Sequence, residues 1–196
     1  MFEGDAIERA LTTLGELLEE RGQGFEVVAI GGSALLLLGL SQRPTKDLDV
    51  LAIVEEGEYV LADPLPAALL AAARDVGAIF GFGSDWLNPG PTMQVNSGLP
   101  AGFKQRVETR TYGSLVLHLP GRFDLICLKL FALVDQWSVW SEHGKHANDL
   151  RQLAPTSDEL VNAARWVRTQ DIGAGFSPTV SEVLKAFGVE DGEAHS

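Results

Sequence analysis

The segment that most constrains the fold runs from residue 25 to residue 54, where two apolar stretches flank a glycine turn. "FEVVAI" is short and apolar, which is typical of a buried strand. "GGS" follows directly, and "SALLLLGL" predicts a short buried helix that begins at Ser33. After the turn "RPTK", "DLDVLAIV" predicts a second buried strand over residues 47–54. This succession of elements indicates an α/β core.

The second of these strands contains two carboxylates. Asp47 and Asp49 are one residue apart, so strand alternation places both side chains on one face, about 6–7 Å apart. Neighbouring carboxylates repel each other unless a positive charge lies between them. Oxygen ligands suit Mg²⁺ or Mn²⁺, so the pair predicts a divalent metal site. The alternative is that one aspartate caps a turn and the other pairs with Arg43 or Lys46.

The glycine turn supplies a second element of the same chemistry. Gly31 and Gly32 let the backbone approach an anion closely, and a helix that begins at Ser33 offers free N–H groups and a positive dipole end. A phosphate-binding turn followed by a metal-binding pair predicts a phosphoryl-transfer site. Taken alone, the turn is equally well explained as an ordinary connection between a strand and a helix.

The rest of the N-terminal part predicts more α/β structure. Residues 5–21 have the three-and-four apolar spacing of an amphipathic helix. "QRVETRTY" and "LVLHLP" predict a hairpin, whereas residues 80–103 are rich in Gly, Pro, Asn and Ser and predict a loop. We expect an α/β core with flanking helices over residues 1–120.

Residues 121–196 predict a helical region that packs on this core. An apolar helix is expected over residues 122–137, with Asp124 as its cap. Thr156 and Glu159 have the spacing of a capping box.

Charge and composition exclude several classes of protein. The chain has 27 acidic and 15 basic residues, a net charge of −12, which repels nucleic acid backbones in general. Cys127 is the single cysteine, so an intrachain disulfide is excluded. The sequence has no apolar run long enough to span a membrane and no signal-peptide pattern at its start. We therefore expect a cytoplasmic protein without a membrane partner.

These motifs resemble the signature of the nucleotidyltransferase (polymerase beta-like) superfamily. "GGS", thirteen residues and "DLD" match the turn that binds a triphosphate and the Asp-x-Asp pair that binds metal ions in that superfamily. "LICLKLFALVDQ" and "KHANDLRQL" are similar to the downstream pattern of its AbiEii-like branch, which includes bacterial abortive-infection toxins. The resemblance covers residues 25–54 and 122–153, and it implies a nucleotidyltransferase-like mixed sheet with flanking helices over residues 1–120.

The resemblance implies a function and a set of residues. Gly31, Gly32 and Ser33 would bind a nucleoside triphosphate, and Asp47 and Asp49 would bind Mg²⁺ (or Mn²⁺) and act in catalysis. The nucleotidyl group would pass to a hydroxyl acceptor. The sequence does not distinguish among an RNA end, a protein hydroxyl and a small molecule as that acceptor. Toxin-like relatives also imply a cognate antitoxin protein as a partner.

The resemblance adds two residues of the C-terminal region. Lys129 would neutralise phosphate charge and Asp149 would complete the catalytic site. Lys129 could instead extend to the surface, and Asp149 could pair with Lys145 at helical spacing. Gln136 stands where the family pattern has an arginine, which removes one cation.

The base that would activate the acceptor hydroxyl is less well defined. Glu108, Asp85 and Asp124 are the carboxylates considered, and Glu108 has Arg106 and Arg110 beside it as ion-pair partners. Without such a base, the chain would be a catalytically inactive binding or regulatory module with the same fold. A dinucleotide-binding oxidoreductase is disfavoured because "GGSALLLLG" lacks the G-x-G-x-x-G spacing.

Overall fold

The computed structural model describes residues 4–140, 143–170, 173 and 175–190. The chain divides into two compact units, Met1–Gly121 and Arg122–Ser196, called the first and second units below. The first unit combines helices with a mixed sheet and the second is helical, which confirms the predicted fold class. Residues 191–196 of the predicted helical region lie outside the described residues. No helix in the described part of the chain has the length and apolarity needed to cross a bilayer.

The elements of the first unit are, in chain order, α1 (Gly4–Glu20), β1 (Phe25–Ile30), α2 (Gly31–Leu37), β2 (Leu48–Glu55), β3 (Glu58–Leu61), α3 (Ala67–Phe80), β4 (Leu87–Pro89), α4 (Met93–Ser97), a 3₁₀ turn (Phe103–Gln105), β5 (Glu108–Tyr112) and β6 (Leu115–Leu119).

One mixed sheet organises the first unit. Its strand order is β3-β2-β1-β6-β5, and β4 pairs with the beginning of β2. The β1–β2, β2–β3 and β5–β6 pairs are antiparallel, whereas β1–β6 and β2–β4 are parallel. The predicted hairpin is therefore present as β5 and β6, and β1 and β2 lie side by side at the centre of the sheet.

The helices of the first unit bury their apolar stripes. α1 contacts α2, α3 and the strands β5 and β6, and α2 contacts β1 and β2. The three-and-four spacing in α1 places five apolar side chains inside with no exposed surface: Ile7, Ala10, Leu11, Leu14 and Leu18.

Two parts of the predicted architecture were wrong in detail. Residues 80–103 are more than a loop, because they include β4 and α4 and end at the 3₁₀ turn. Trp86 anchors this segment, since its indole is 1% exposed and its Nε1 donates to the Ala73 carbonyl at 2.6 Å. The sequence analysis also missed β3, whose hairpin turn holds Glu56 and Gly57 at φ of 51° and 81°, as a tight two-residue turn requires.

The second unit contains α5 (Arg122–Asp135), α6 (Trp137–Trp140), α7 (Lys145–Gln152), α8 (Ser157–Thr169) and α9 (Phe176–Ala186). α5 contacts each of the others and is the centre of this unit.

Two predicted helix starts in the second unit have different outcomes. The capping box of α8 is confirmed, because the Glu159 N–H donates to the Thr156 hydroxyl and the Thr156 N–H donates to the Glu159 carboxylate. The predicted cap of α5 is wrong: Asp124 lies inside the first turn and is fully buried. The helix begins at Arg122, two residues before Asp124.

Candidate functional site

The sheet brings the glycine turn and the aspartate pair together. β1 ends at Ile30, which lies directly opposite Asp49 in the antiparallel ladder with β2. α2 begins at the next residue, Gly31. β2 begins at Leu48, one residue later than predicted, so Asp47 precedes the strand and Asp49 lies within it. Burial alternates through this start, since both aspartates are partly buried whereas Leu48 and Val50 have no exposed surface.

Gly31 contacts Asp49 so closely that no other residue fits without movement. Its φ is +80°, in the left-handed region. A Cβ built on Gly31 would lie 2.3 Å from Asp49 Oδ2 and 3.2 Å from its Cγ. The backbone of the turn and a carboxylate of the aspartate pair therefore share one small space. The left-handed φ favours glycine at residue 31, and a larger residue would have to push aside the end of the Asp49 side chain.

The second glycine of the turn faces the segment that leads into β2. A Cβ on Gly32 would lie 3.1 Å from Thr45 Oγ1 and 3.3 Å from Arg43 Nη2. The Thr45 hydroxyl also lies 3.4 Å from Asp47 Oδ1 and from the Asp47 carbonyl. A guanidinium, a hydroxyl and the Asp49 carboxylate thus lie against the turn, and Asp47 lies beside the hydroxyl. The sequence analysis considered Arg43 only as an ion-pair partner and did not identify Thr45.

Ser33 does not have the position that the sequence predicted. The helix begins at Gly31, so Ser33 is its third residue. Its side chain is fully buried and its hydroxyl donates to the Ile30 carbonyl at 3.2 Å. In this arrangement the hydroxyl stabilises the end of β1.

β4 adds residues that the sequence analysis did not include in the site. Asn88 pairs with Asp49 in the parallel β2–β4 ladder. A Cβ on Gly90 would lie 3.2 Å from the Asp49 Cβ, and the Gly90 N–H donates to the Val50 carbonyl at 2.8 Å. The only signal for this strand was the apolar pair Trp86-Leu87 inside a segment rich in turn-forming residues.

Two carboxylates considered as the catalytic base lie in the first unit. Glu108 is on β5, three strands from β2, which is about 14 Å at ordinary strand spacing. It accepts from the Arg110 guanidinium at 2.8 Å, so it is not a third ligand of the aspartate pair. Asp85 is exposed, and its side chain folds back on its own loop. A Cβ built on Gly83 would lie 2.7 Å from Asp85 Oδ1.

The second unit brings Lys129 and Asp149 together. The Lys129 ammonium donates to Asp149 Oδ2 at 2.6 Å, and the two side chains are 8% and 0% exposed. Lys129 on α5 therefore does not extend to the surface. The structure joins these two residues, whereas the sequence analysis assigned each a separate role or partner.

The donor set of the first unit fits a hard divalent cation. Asp47 and Asp49 offer carboxylate oxygens, and Thr45 offers a hydroxyl 3.4 Å from Asp47 Oδ1. Among the described residues, no three His, Cys, Asp or Glu side chains are grouped as a complete metal cage would be. Mg²⁺ commonly binds through one or two carboxylates, with waters and substrate phosphates as the remaining ligands, so two carboxylates are compatible with it.

Comparison with known proteins gives no match among protein-family models, curated proteins or solved structures.

Proposed function

We propose that the first unit binds a nucleoside triphosphate with Mg²⁺ and transfers its nucleotidyl group to a hydroxyl acceptor. The acceptor is an RNA end, a protein hydroxyl or a small molecule, and toxin activity controlled by an antitoxin protein is one form that this function could take. We propose that the protein acts in the cytoplasm.

The proposal rests on one observation, the contact between Gly31 and the Asp49 carboxylate. A backbone turn that donates N–H groups attracts a phosphate, and a carboxylate beside it repels the same phosphate. A bound cation between the two removes this conflict. The left-handed φ of Gly31 and the 2.3 Å between its Cβ position and Asp49 Oδ2 support a turn built for close approach.

The surrounding side chains have consistent roles in this proposal. The backbone of Gly31 and Gly32 would donate to phosphate oxygens, and the Arg43 guanidinium would neutralise phosphate charge beside the turn. Thr45 would hold the Asp47 carboxylate in place through the contact at 3.4 Å.

Asp47 and Asp49 would hold the metal ion. When bound, Mg²⁺ supplies charge neutralisation on the phosphates and fixes their orientation. The protein residues of the site would then hold the triphosphate and the acceptor hydroxyl in the orientation that the reaction needs.

Titration calorimetry tests the proposal. ATP, CTP, GTP and UTP are each titrated with and without Mg²⁺ into the wild-type chain and into Asp49→Asn. Asp85→Asn is the matched control, because it removes an exposed aspartate of the same unit that faces its own loop. We expect Mg²⁺-dependent binding of at least one nucleotide, retained in the control and lost in Asp49→Asn. Absence of binding in every combination would overturn the proposal.

A second function is favoured by the burial of Ser33 and by the position of Glu108 away from β2. In that case the first unit binds the nucleotide without transferring it and acts as a binding or regulatory module. Pyrophosphate release distinguishes the two functions: wild-type protein that binds a nucleotide but releases no pyrophosphate with RNA, protein or small-molecule hydroxyl acceptors fits the module.

A further inference from the structure

A second polar cluster lies on the sheet of the first unit, on strands β1, β6 and β5. His118 on β6 is its centre: its Nε2 lies 2.5 Å from Glu26 Oε1, and its Nδ1 lies 2.9 Å from Thr109 Oγ1. Thr109 is directly opposite His118 in the β5–β6 ladder. A carboxylate, an imidazole and a hydroxyl are thus connected in series across three adjacent strands.

The chemistry of the partners determines the direction of these hydrogen bonds. A carboxylate only accepts, so His118 Nε2 carries the proton that is shared with Glu26. In the neutral imidazole the other nitrogen then accepts, and Nδ1 receives the hydroxyl proton of Thr109. Glu26 therefore fixes the tautomer in which His118 can act as a base toward Thr109.

The hydroxyl end of this series is accessible to a reagent. Thr109 is exposed, whereas the His118 side chain is only 13% exposed. β5 is an edge strand of the sheet, so Thr109 lies at the margin of the sheet.

The charges near Thr109 favour a neutral reagent over a phosphorylated one. The cluster itself contains the Glu26 carboxylate, which repels an anionic reagent. Glu108 and Arg110 alternate with Thr109 and lie on the other face of β5, where the Arg110 guanidinium is held by Glu108 and Glu8 at 2.8 Å and 2.6 Å. An uncharged acyl ester is a class of substrate that a hydroxyl with a general base can attack without this repulsion.

We propose that Thr109 is the nucleophile of an acyl-transfer site, with His118 as its general base and Glu26 as the positioning residue. Thr109 Oγ attacks the ester carbonyl carbon while the hydroxyl proton moves to His118 Nδ1. The bond between the carbonyl carbon and the alcohol oxygen then breaks, and the departing alcohol takes the proton from His118. Thr109 is left as an acyl ester, which water hydrolyses by the reverse proton path.

Reaction with p-nitrophenyl acetate tests this proposal on the full chain. Release of p-nitrophenol gives the rate, and mass spectrometry of the digested protein locates the acetyl group. Thr111→Val is the matched control for Thr109→Val, because Thr111 is an exposed threonine two residues further along the same strand. Circular dichroism confirms that each variant is folded.

We expect acetylation of Thr109 in the wild type, in Thr111→Val and in Thr109→Ser, and none at residue 109 in Thr109→Val. His118→Gln should slow acetylation of Thr109 by about 10²–10⁴-fold, the usual contribution of a general base. Glu26→Gln should also slow it, with partial recovery in Glu26→Asp. Acetyl groups found only on lysines or on His118, or an unchanged rate at Thr109 in folded His118→Gln, would overturn the proposal. Nucleotide binding at Asp47 and Asp49 is independent of all these outcomes.

Discussion

Replacing Gly31 by alanine isolates the contact on which the proposed site depends. The substitution has two physical effects: it places a Cβ at φ +80°, and it brings that Cβ to 2.3 Å from Asp49 Oδ2. Gly57→Ala is a close control, because Gly57 has φ +81° and nothing within 4 Å of its Cβ position. The comparison therefore separates the backbone effect from the steric one.

The expected free energies follow from these two effects. Alanine in the left-handed region costs about 1–2 kcal/mol, so both variants should lose this much stability. Gly31→Ala must also displace the Asp49 carboxylate from its position, which costs about 0.5–1.5 kcal/mol more if the side chain leaves its preferred rotamer. The extra loss is modest because only the end of a side chain has to move.

Denaturant unfolding of both variants measures the difference, with the slope of the transition checked for constancy. Asp49→Ala removes the clashing oxygens, so the double variant Gly31→Ala/Asp49→Ala should lose the extra destabilisation and show a coupling free energy of the same size. The contact would be refuted if Gly31→Ala and Gly57→Ala lost the same free energy of unfolding and if the effects of Gly31→Ala and Asp49→Ala were additive in the double variant.

Three further predictions concern titration and burial. The pKa of Glu159 is lowered from 4.5 mainly by its hydrogen bond from Arg122, so its stabilising effect is present above about pH 4.5 and is lost as the pH falls through the lowered pKa. Acid unfolding of Glu159→Gln should therefore lack the loss of stability that protonation of Glu159 causes in the wild type. Identical acid transitions in the wild type and in Glu159→Gln would contradict this prediction. Removing one member of the buried Lys129–Asp149 pair should cost about 3–5 kcal/mol. Chemical unfolding of Lys129→Met should show this loss, and Lys129→Met/Asp149→Leu should recover much of it; a small loss in the single variant would contradict the burial of the pair. Burial, followed by a hydrogen bond to a glutamate, raises the pKa of Tyr112 from 10.0 to about 12, so its stabilising effect is lost as the pH rises from 10 toward 12. An ultraviolet titration should resolve a late phenolate that is missing in Tyr112→Phe; a single early transition for both tyrosines would contradict it.

The fold class could be predicted from the sequence because the strongest signals are local. The apolar spacing of α1, the hairpin of β5 and β6 and the capping box at Thr156 and Glu159 depend on residues close in the chain. β3 and β4 were missed because each is short and gains its order from pairing with β2. Pairing partners of that kind are not visible in a local pattern.

The candidate site was predicted in outline and not in its contacts. Gly31 and Asp49 were singled out by residue type and spacing, but their direct contact arises from the antiparallel register of β1 and β2. The parallel register of β2 and β4 explains in the same way why Asn88, from a distant segment, lies beside Asp49. Ser33 was assigned a ligand role from its place in "GGS", and the actual start of α2 instead directs its hydroxyl into the protein interior.

The central claim is that the glycine turn and Asp49 form a single nucleotide site, and binding by the two glycine variants tests it most directly. An equimolar mixture of the four ribonucleoside triphosphates with Mg²⁺ is titrated into wild type, Gly57→Ala and Gly31→Ala below their unfolding transitions. The account predicts equal affinities for wild type and Gly57→Ala, and a loss of about tenfold or more in Gly31→Ala, equivalent to at least about 1.4 kcal/mol. Nucleotide binding by Gly31→Ala at the wild-type affinity, or no binding by the wild type, would contradict it.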